Sequence, residues 1–227
     1  MVLGNGLVGK RFHSYSEEDQ FLIFASGVSN SKTTNQEVYE REIKLLRQAV
    51  REHVDRSIIY FSTCSIYDPD EKNSEYVRHK QNIEEFIQAN ARQYNIFRVS
   101  NLAGNSSNPN TVLNFFYYHI KNDINFNLWI RACRNLIDID DAYLIIDHIL
   151  KNQLFPNQIV NIANPVNHPV KEIVAAIESF LNIKSNYIEI IKGNCFEIEI
   201  SPMKQVADDL EIKFNPDYLD GLLRKYF

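Results

Sequence analysis

The sequence predicts an α/β protein built on a doubly wound parallel sheet, and three observations lead there. Apolar runs of strand length, Phe21–Ala25 and Ser57–Phe61, lack polar alternation. Such runs imply burial on both faces, as in a parallel sheet covered by helices. Helical patterns alternate with these runs through the first half. A glycine-spaced turn, Gly4-x-Gly6-x-x-Gly9, stands ahead of the alternation. The 227 residues suit a single unit without a linker;. Its core is expected over about 1–104 with returning segments. A small α/β cap is expected mostly from 105–227, over the carboxyl ends of the strands.

Each element has a local reason. Val2–Leu3 is a short strand running into the glycine turn, and a short helix follows to about Tyr15. Phe21–Ala25 is a buried strand that ends in Ser26-Gly27. Thr34-x-x-Glu37 reads as a capping box for a helix with Val38, Ile43, Leu46, Ala49 and Val50 on one side. Ser57–Phe61 is a strand. Tyr76 to about Ala91 is a helix with Ile83, Phe86 and Ile87 as its stripe. Tyr94–Val99 is a strand, and Asn110–Lys121 a helix with the aromatic run Phe115–Tyr118, read as packing. Phe126–Ile130 and Leu136–Ile139 are short strands, Trp129 being a packed strand residue. Asp140 or Asp141 caps a helix to Lys151. Ile159–Ile162 is a strand, Val170–Leu181 a helix, Tyr187–Ile191 and Phe196–Ile200 are strands, and Tyr218–Tyr226 is the last helix.

Composition excludes several classes. Hydrophobic residues make up 44% and charged residues 23%, enough to bury a core and exclude wholesale disorder;. No apolar run approaches the roughly 18–20 residues of a membrane span. The start MVLGNGLVGK does not read as a secretory signal. The net charge of −5, with Lys and Arg scattered, argues against a nucleic-acid or anionic-membrane binder;. Cys64, Cys133 and Cys195 are far apart and odd in number, so free thiols and a cytoplasmic setting are expected;. No metal-ligand spacing occurs; Asp138, Asp140 and Asp141 read as capping and a buried hydrogen-bonded carboxylate.

Two motifs bear on chemistry. Gly4-Asn5-Gly6-Leu7-Val8-Gly9 lies between a strand and a helix. Glycines there permit a tight turn, close approach of a pyrophosphate and close helix–sheet packing. The same residues could be an ordinary glycine turn. Tyr76-x-x-x-Lys80 puts a phenol and an ammonium one helical turn apart on one face. A nearby ammonium favours the phenolate, so such a tyrosine can give or take a proton near neutrality. Its bland alternative is a surface pair. Thr63 or Ser62, at the end of the preceding strand, could hydrogen-bond a carbonyl or alcohol. His79 reads as solvent-facing, and Cys64 as a buried inert thiol.

Together these residues resemble the extended short-chain dehydrogenase/reductases of the NAD-dependent epimerase/dehydratase type, which modify nucleotide sugars. Phe24-Ala25-Ser26-Gly27-Val28-Ser29 is similar to the family strand beside the cofactor. Tyr60–Tyr67 resembles its "SSxxxYG" segment, Phe97–Asn101 its "LRxxN" strand, Arg134–Asp141 its "RDFIHVDD" stretch, and Asn161–Ala163 its "YNIG" strand. Ser201–Leu223 resembles its last helix and tail. The resemblance implies a Rossmann-like fold and NAD or NADP held by Gly4, Asn5, Gly6, Leu7, Val8, Gly9, Ala25, Ser26, Ser62 and Lys80. It implies catalysis by Thr63, Tyr76 and Lys80, and a nucleotide-sugar substrate held by Asn101 and Arg134. The setting it implies is surface-polysaccharide synthesis.

The departures are as informative. Eleven residues separate Gly9 from Phe21, too few for the second and third strands of the family. The sheet is therefore expected to be shortened at one edge. The acidic residue that takes the adenosine ribose has no clear equivalent; Glu17, Glu18 and Asp19 read as a solvated turn, and Arg11 is an alternative partner for a 2′-phosphate. An uncovered first strand is an edge that proteins pair or cover, so a homodimer across it is a hypothesis. Cys64 and Ser65 stand where dehydratases carry an acidic pair, which favours ketoreduction or epimerisation. The alternative function is a Rossmann-like binding protein that has lost its chemistry.

Overall fold

A computed structural model describes all 227 residues. Its centre is a five-stranded, wholly parallel sheet of β1 (Val2–Leu3), β2 (Phe21–Phe24), β3 (Ser57–Thr63), β4 (Tyr94–Val99) and, returning from later in the chain, a strand at Gln158–Ile162. Successive strand residues point to opposite faces, and the core records it. Ile23, Ile59, Phe97 and Val160 face one side, while Leu22, Phe24, Ile58, Tyr60 and Ile96 face the other. Helices α2 (Gln36–Glu52) and α3 (Glu75–Asn90) cover the second face through Leu46, Ala49, Ile83 and Ile87. The first face is covered by Phe12, just after α1 (Leu7–Arg11), and by two later helices. Each fully buried Ile or Leu contributes roughly 1.5–3 kcal/mol, so both layers are needed to hold the strands.

The rest of the chain, in order, is β5 (Asn101–Ala103), α4 (Val112–Lys121), β6 (Phe126–Trp129), β7 (Cys133–Asp138), α5 (Ile139–Lys151), β8 (Gln158–Ile162), β9 (Asn167–Pro169), α6 (Val170–Leu181), β10 (Tyr187–Ile190), α7 (Ser201–Asp209) and α8 (Tyr218–Tyr226). Helices α5 and α7 complete the first face of the main sheet. A separate core gathers Leu113 and Phe116 of α4, Leu128 of β6, Ile173 and Ile177 of α6 and Leu222 of α8. Phe115 and Phe116 pack edge-on against Phe126, so the aromatic run does serve packing, with Tyr118 left exposed.

The shortened edge is present. Between Gly9 and Phe21 lie only α1 and a 3-10 turn at His13–Tyr15, and β1 is the sheet's outer strand. Other expectations are corrected. The α2 cap is Asn35, whose side chain accepts from Glu37 N–H, not Thr34. The α5 cap is Asp138, which accepts from Asp140 N–H, so helix and cap both start earlier than the sequence suggests. Phe196–Ile200 is not a strand: Asn167 and Asn161 donate their side-chain amides to Phe196 O and Glu199 O, in place of a ladder. The short strands β5 and β9 were not legible; three-residue strands owe their form to the β7 ladder between them.

Cys133 and Cys195 are joined as a disulfide, contrary to the expectation of free thiols. The backbone explains it. Cys133 N–H donates to Asn194 O, and Gly193, at φ +95°, lies so close that a Cβ would stand 2.8 Å from Ala132 Cα. A contact across 62 residues leaves no mark in cysteine spacing. Cys64 alone is free, and it is buried.

Candidate active site

Three adjacent parallel strands end side by side. Gly4 follows β1, Ala25 and Ser26 follow β2, and Ser62 and Thr63 close β3. The carboxyl ends of such strands are where open α/β sheets hold ligands.

The glycines of the turn have three different reasons. Gly4 adopts φ +129°, and a Cβ there would run into the Ala25 carbonyl. Gly9 packs on Gly4 itself, its Cβ direction blocked by the Gly4 carbonyl. Both are demanded by the close approach of α1 to the strands. Gly6 differs: its φ of −72° suits any residue, and nothing lies within 4 Å of where a Cβ would stand. The protein gives no steric reason for a glycine at this exposed position, whereas a dinucleotide would occupy that space. The hydroxyl of Ser62, 7% exposed, has no hydrogen-bond partner in the protein. An open cradle at Gly6 and an orphaned hydroxyl two strands along the sheet fit a bound dinucleotide.

Arg11, the alternative phosphate partner, is already engaged: it pairs with Asp140 and stacks 3.6 Å over the Tyr143 ring. Burial by itself would raise the Asp140 carboxyl, but Lys225 and Arg11 pull it below its usual range. Asp138 accepts from Lys225 and from the Tyr226 hydroxyl, at 2.8 and 2.6 Å, in keeping with the capping reading of this acidic run. Asp19 pairs with Arg56 on the surface, as a solvated turn would.

The catalytic candidates sit on β3 and α3. Ser74 caps α3 by accepting from Val77 N–H, so the helix begins just before Tyr76. The i, i+4 spacing brings the Lys80 ammonium to 5.9 Å from the centre of the half-buried Tyr76 ring. Thr63 caps the following 3-10 turn, Cys64–Tyr67, its oxygen accepting from Ser65 N–H at 3.0 Å. That bond uses a lone pair only, so the hydroxyl proton remains available to a ligand. Arg98 grips Glu84 through two bonds, at 2.6 and 3.0 Å, and donates to Tyr67, which donates on to Asn161. This chain ties the turn after Thr63 to α3, β4 and β8. Burial pushes the Cys64 thiol up to about 12, and it donates to Arg98 O, as an inert thiol should.

The sequence missed the residue that organises this site. Glu42 of α2 is fully buried and receives four donors: Val28 N–H at 2.7 Å, the Tyr60 hydroxyl at 2.7 Å, His79 Nε2 at 2.9 Å and Lys80 Nζ at 3.1 Å. Lys80, 3% exposed, also donates to the Tyr60 hydroxyl at 2.9 Å. Burial alone would raise the Glu42 carboxyl; the Lys80 ammonium first, then the bonds from His79, Val28 and Tyr60, outweigh it and hold it at about 2. Burial and the Glu42 charge push the Tyr60 hydroxyl far above its usual range, keeping it a donor. His79 is thus not solvent-facing: it is 6% exposed, bonded to Glu42 and against the Tyr39 ring. The legible signal was the spacing Tyr39, Glu42, Leu46, Ala49, which sets a lone carboxylate in the buried stripe of α2;.

Asn101 and Arg134 come together through β5 and β7. Asn101 stands opposite Leu136 and donates to Asn135 O at 2.8 Å. Arg134, half-buried, returns one donor to Cys133 O, leaving the others free. Both side chains lie on the β5–β7–β9 sheet rather than on β3 and α3, which carry Thr63, Tyr76 and Lys80.

The fold and site define a short-chain dehydrogenase/reductase of the extended type. A model of the NAD-dependent epimerase/dehydratase family matches residues 9–163, and the chain belongs to that family. The match begins at Gly9 and includes Thr63, Tyr76, Lys80, Asn101 and Arg134. No curated protein matches the sequence. Among solved structures, a dTDP-glucose 4,6-dehydratase from Bacillus anthracis in complex with NAD shares 16% identity at a TM-score of 0.67, over 89% of this chain and 71% of that one. An ADP-L-glycero-D-manno-heptose-6-epimerase from Helicobacter pylori shares 19% at 0.66, over 89% and 72%. RMD from Pseudomonas aeruginosa, complexed with NADPH, shares 12% at 0.73, over 97% and 93%. At these identities the likeness establishes the fold.

Proposed function

We propose that the protein is an NAD(P)-dependent oxidoreductase or epimerase acting on a nucleotide-linked sugar, in surface-polysaccharide synthesis. One observation carries the reading: the open glycine cradle at Gly6 follows β1, and the Lys80 ammonium of the Tyr76–Lys80 pair comes against Gly27, just beyond the adjacent strand β2. Gly4–Gly9, Ala25, Ser26 and Ser62 would hold the dinucleotide, which supplies or takes the hydride when bound. Tyr76 passes a proton to or from a sugar oxygen. Lys80, one helical turn on, faces the same phenol and holds the nicotinamide ribose, and Thr63 hydrogen-bonds the same sugar oxygen. Arg134 and Asn101 hold the nucleotide sugar. The solved neighbours that carry NAD or NADPH in their crystals support the cofactor, as does the family to which the chain belongs. Cys64 and Ser65, in place of an acidic pair, weigh toward ketoreduction or epimerisation over dehydration.

A second reading is a binding protein that has lost the chemistry. The observation in its favour is that two of the three Lys80 protons already have protein partners, Glu42 and Tyr60. Titration with NADH and with NADPH, followed by nicotinamide fluorescence, separates the two at the first step. Saturable binding of one, then turnover with a nucleotide sugar from a panel, is expected. A folded protein that binds neither would leave the first reading without support.

A further inference from the structure

We propose that Glu42 is a positioning residue for the candidate catalytic pair, its buried carboxylate fixing the Lys80 ammonium beside the backbone of Gly27, where a dinucleotide would meet it. This rests on the reading of the site as a dinucleotide site. From α2, Arg41 reaches only the Ser26 carbonyl, at 3.4 Å, whereas Glu42 draws in groups from three further elements: Val28 beyond β2, Tyr60 of β3, and His79 and Lys80 of α3. Packing does not explain a charge there, because a buried ion pair can often be replaced by apolar residues of similar volume without loss of stability. A defined place for a cation does explain it. An ammonium has three donors; Glu42 and Tyr60 take two, and one remains. Gly27 makes the place specific: a Cβ on it would lie 2.8 Å from Lys80 Nζ and 3.0 Å from Glu42 Oε1. Only a glycine lets the ammonium come so close to the strand end.

The test is a double-mutant cycle on dinucleotide binding, with NADH or NADPH as the probe, whichever the unmodified protein binds. Glu42→Gln should weaken binding about tenfold, as loss of a charged hydrogen-bond partner predicts, and Glu42→Asp should restore most of it. In a Lys80→Met background, Glu42→Gln should change affinity by less than about twofold, since coupled residues fail to add. Melting temperatures verify that each variant is folded. Should Glu42→Gln not fold, Gly27→Ala, which keeps the charge of Glu42 but crowds the Lys80 ammonium, replaces it in the same cycle and should weaken binding only when Lys80 is present. Equal losses with and without Lys80 would overturn the proposal, because Glu42 would then act through bulk structure. So would a Glu42→Gln variant that binds like the parent. An unmodified protein that binds neither dinucleotide would overturn the parent reading as well, and that result is read without any variant.

Discussion

The two halves of the candidate site are built to different depths. On the nucleotide side, β1 has two residues and α1 five. On the side of Thr63, Tyr76 and Lys80, β3 has seven and α3 sixteen, fastened by the buried Glu42 cluster and by the Glu84–Arg98 pair. The dry ion cluster also contrasts with the wetter one at the start of α5, where Lys225 and Asp140 keep 44% and 40% of their side-chain exposure. Exposed pairs of that kind contribute about 0–1 kcal/mol each, whereas a buried pair is strongly felt when one partner goes. The buried polar network lies where the sheet is deep, and the glycine turn lies at its shortest, outermost strand.

The largest effect expected is at Tyr76. Tyr76→Phe should lower turnover by about 10²–10⁴-fold and leave the dinucleotide dissociation constant unchanged. Turnover surviving with little loss would show that the well-built half is not the catalytic one.

Next comes Glu42→Ala, which strands Lys80 and His79 in the interior and should cost about 3–5 kcal/mol in urea unfolding. The loss should depend on pH in a definite sense. The Glu42 carboxyl is held at about 2 against an unfolded value of 4.5. Its stabilisation is therefore complete above pH 4.5 and fades as pH falls toward 2. The gap between parent and variant should close over that acid window; a constant gap would mean that Glu42 does not carry its charge in the folded state.

Smaller effects divide the glycine turn. Gly4→Ala meets both a positive φ and the Ala25 backbone, and should destabilise by about 1–3 kcal/mol. Gly6→Ala should leave the urea midpoint unchanged within about 0.5 kcal/mol while weakening dinucleotide binding. If Gly6→Ala binds NADH and NADPH as the parent does, the turn is structural and the thin half of the site is only a hinge between β1 and α1.

Much of this was written locally. Alternating strand and helix patterns depend on near neighbours, so Tyr94–Val99 and Val170–Leu181 could be bounded from sequence alone. The glycine spacing, the Tyr76–Lys80 turn and the missing strands after Gly9 were legible for the same reason. What a helical periodicity does not encode is which face meets a charged partner. Glu42, His79 and Lys80 became one cluster only when α2 and α3 were laid on the same face of the sheet. The Cys133–Cys195 link and the side-chain amides that replace a strand at 196–200 likewise depend on segments far apart in the chain. The sequence by itself determined the order of elements and the chemical groups on them, because those follow from local backbone preference and burial. The tertiary structure decided which of those groups are dry and paired, because desolvation and hydrogen-bond geometry exist only once distant segments meet.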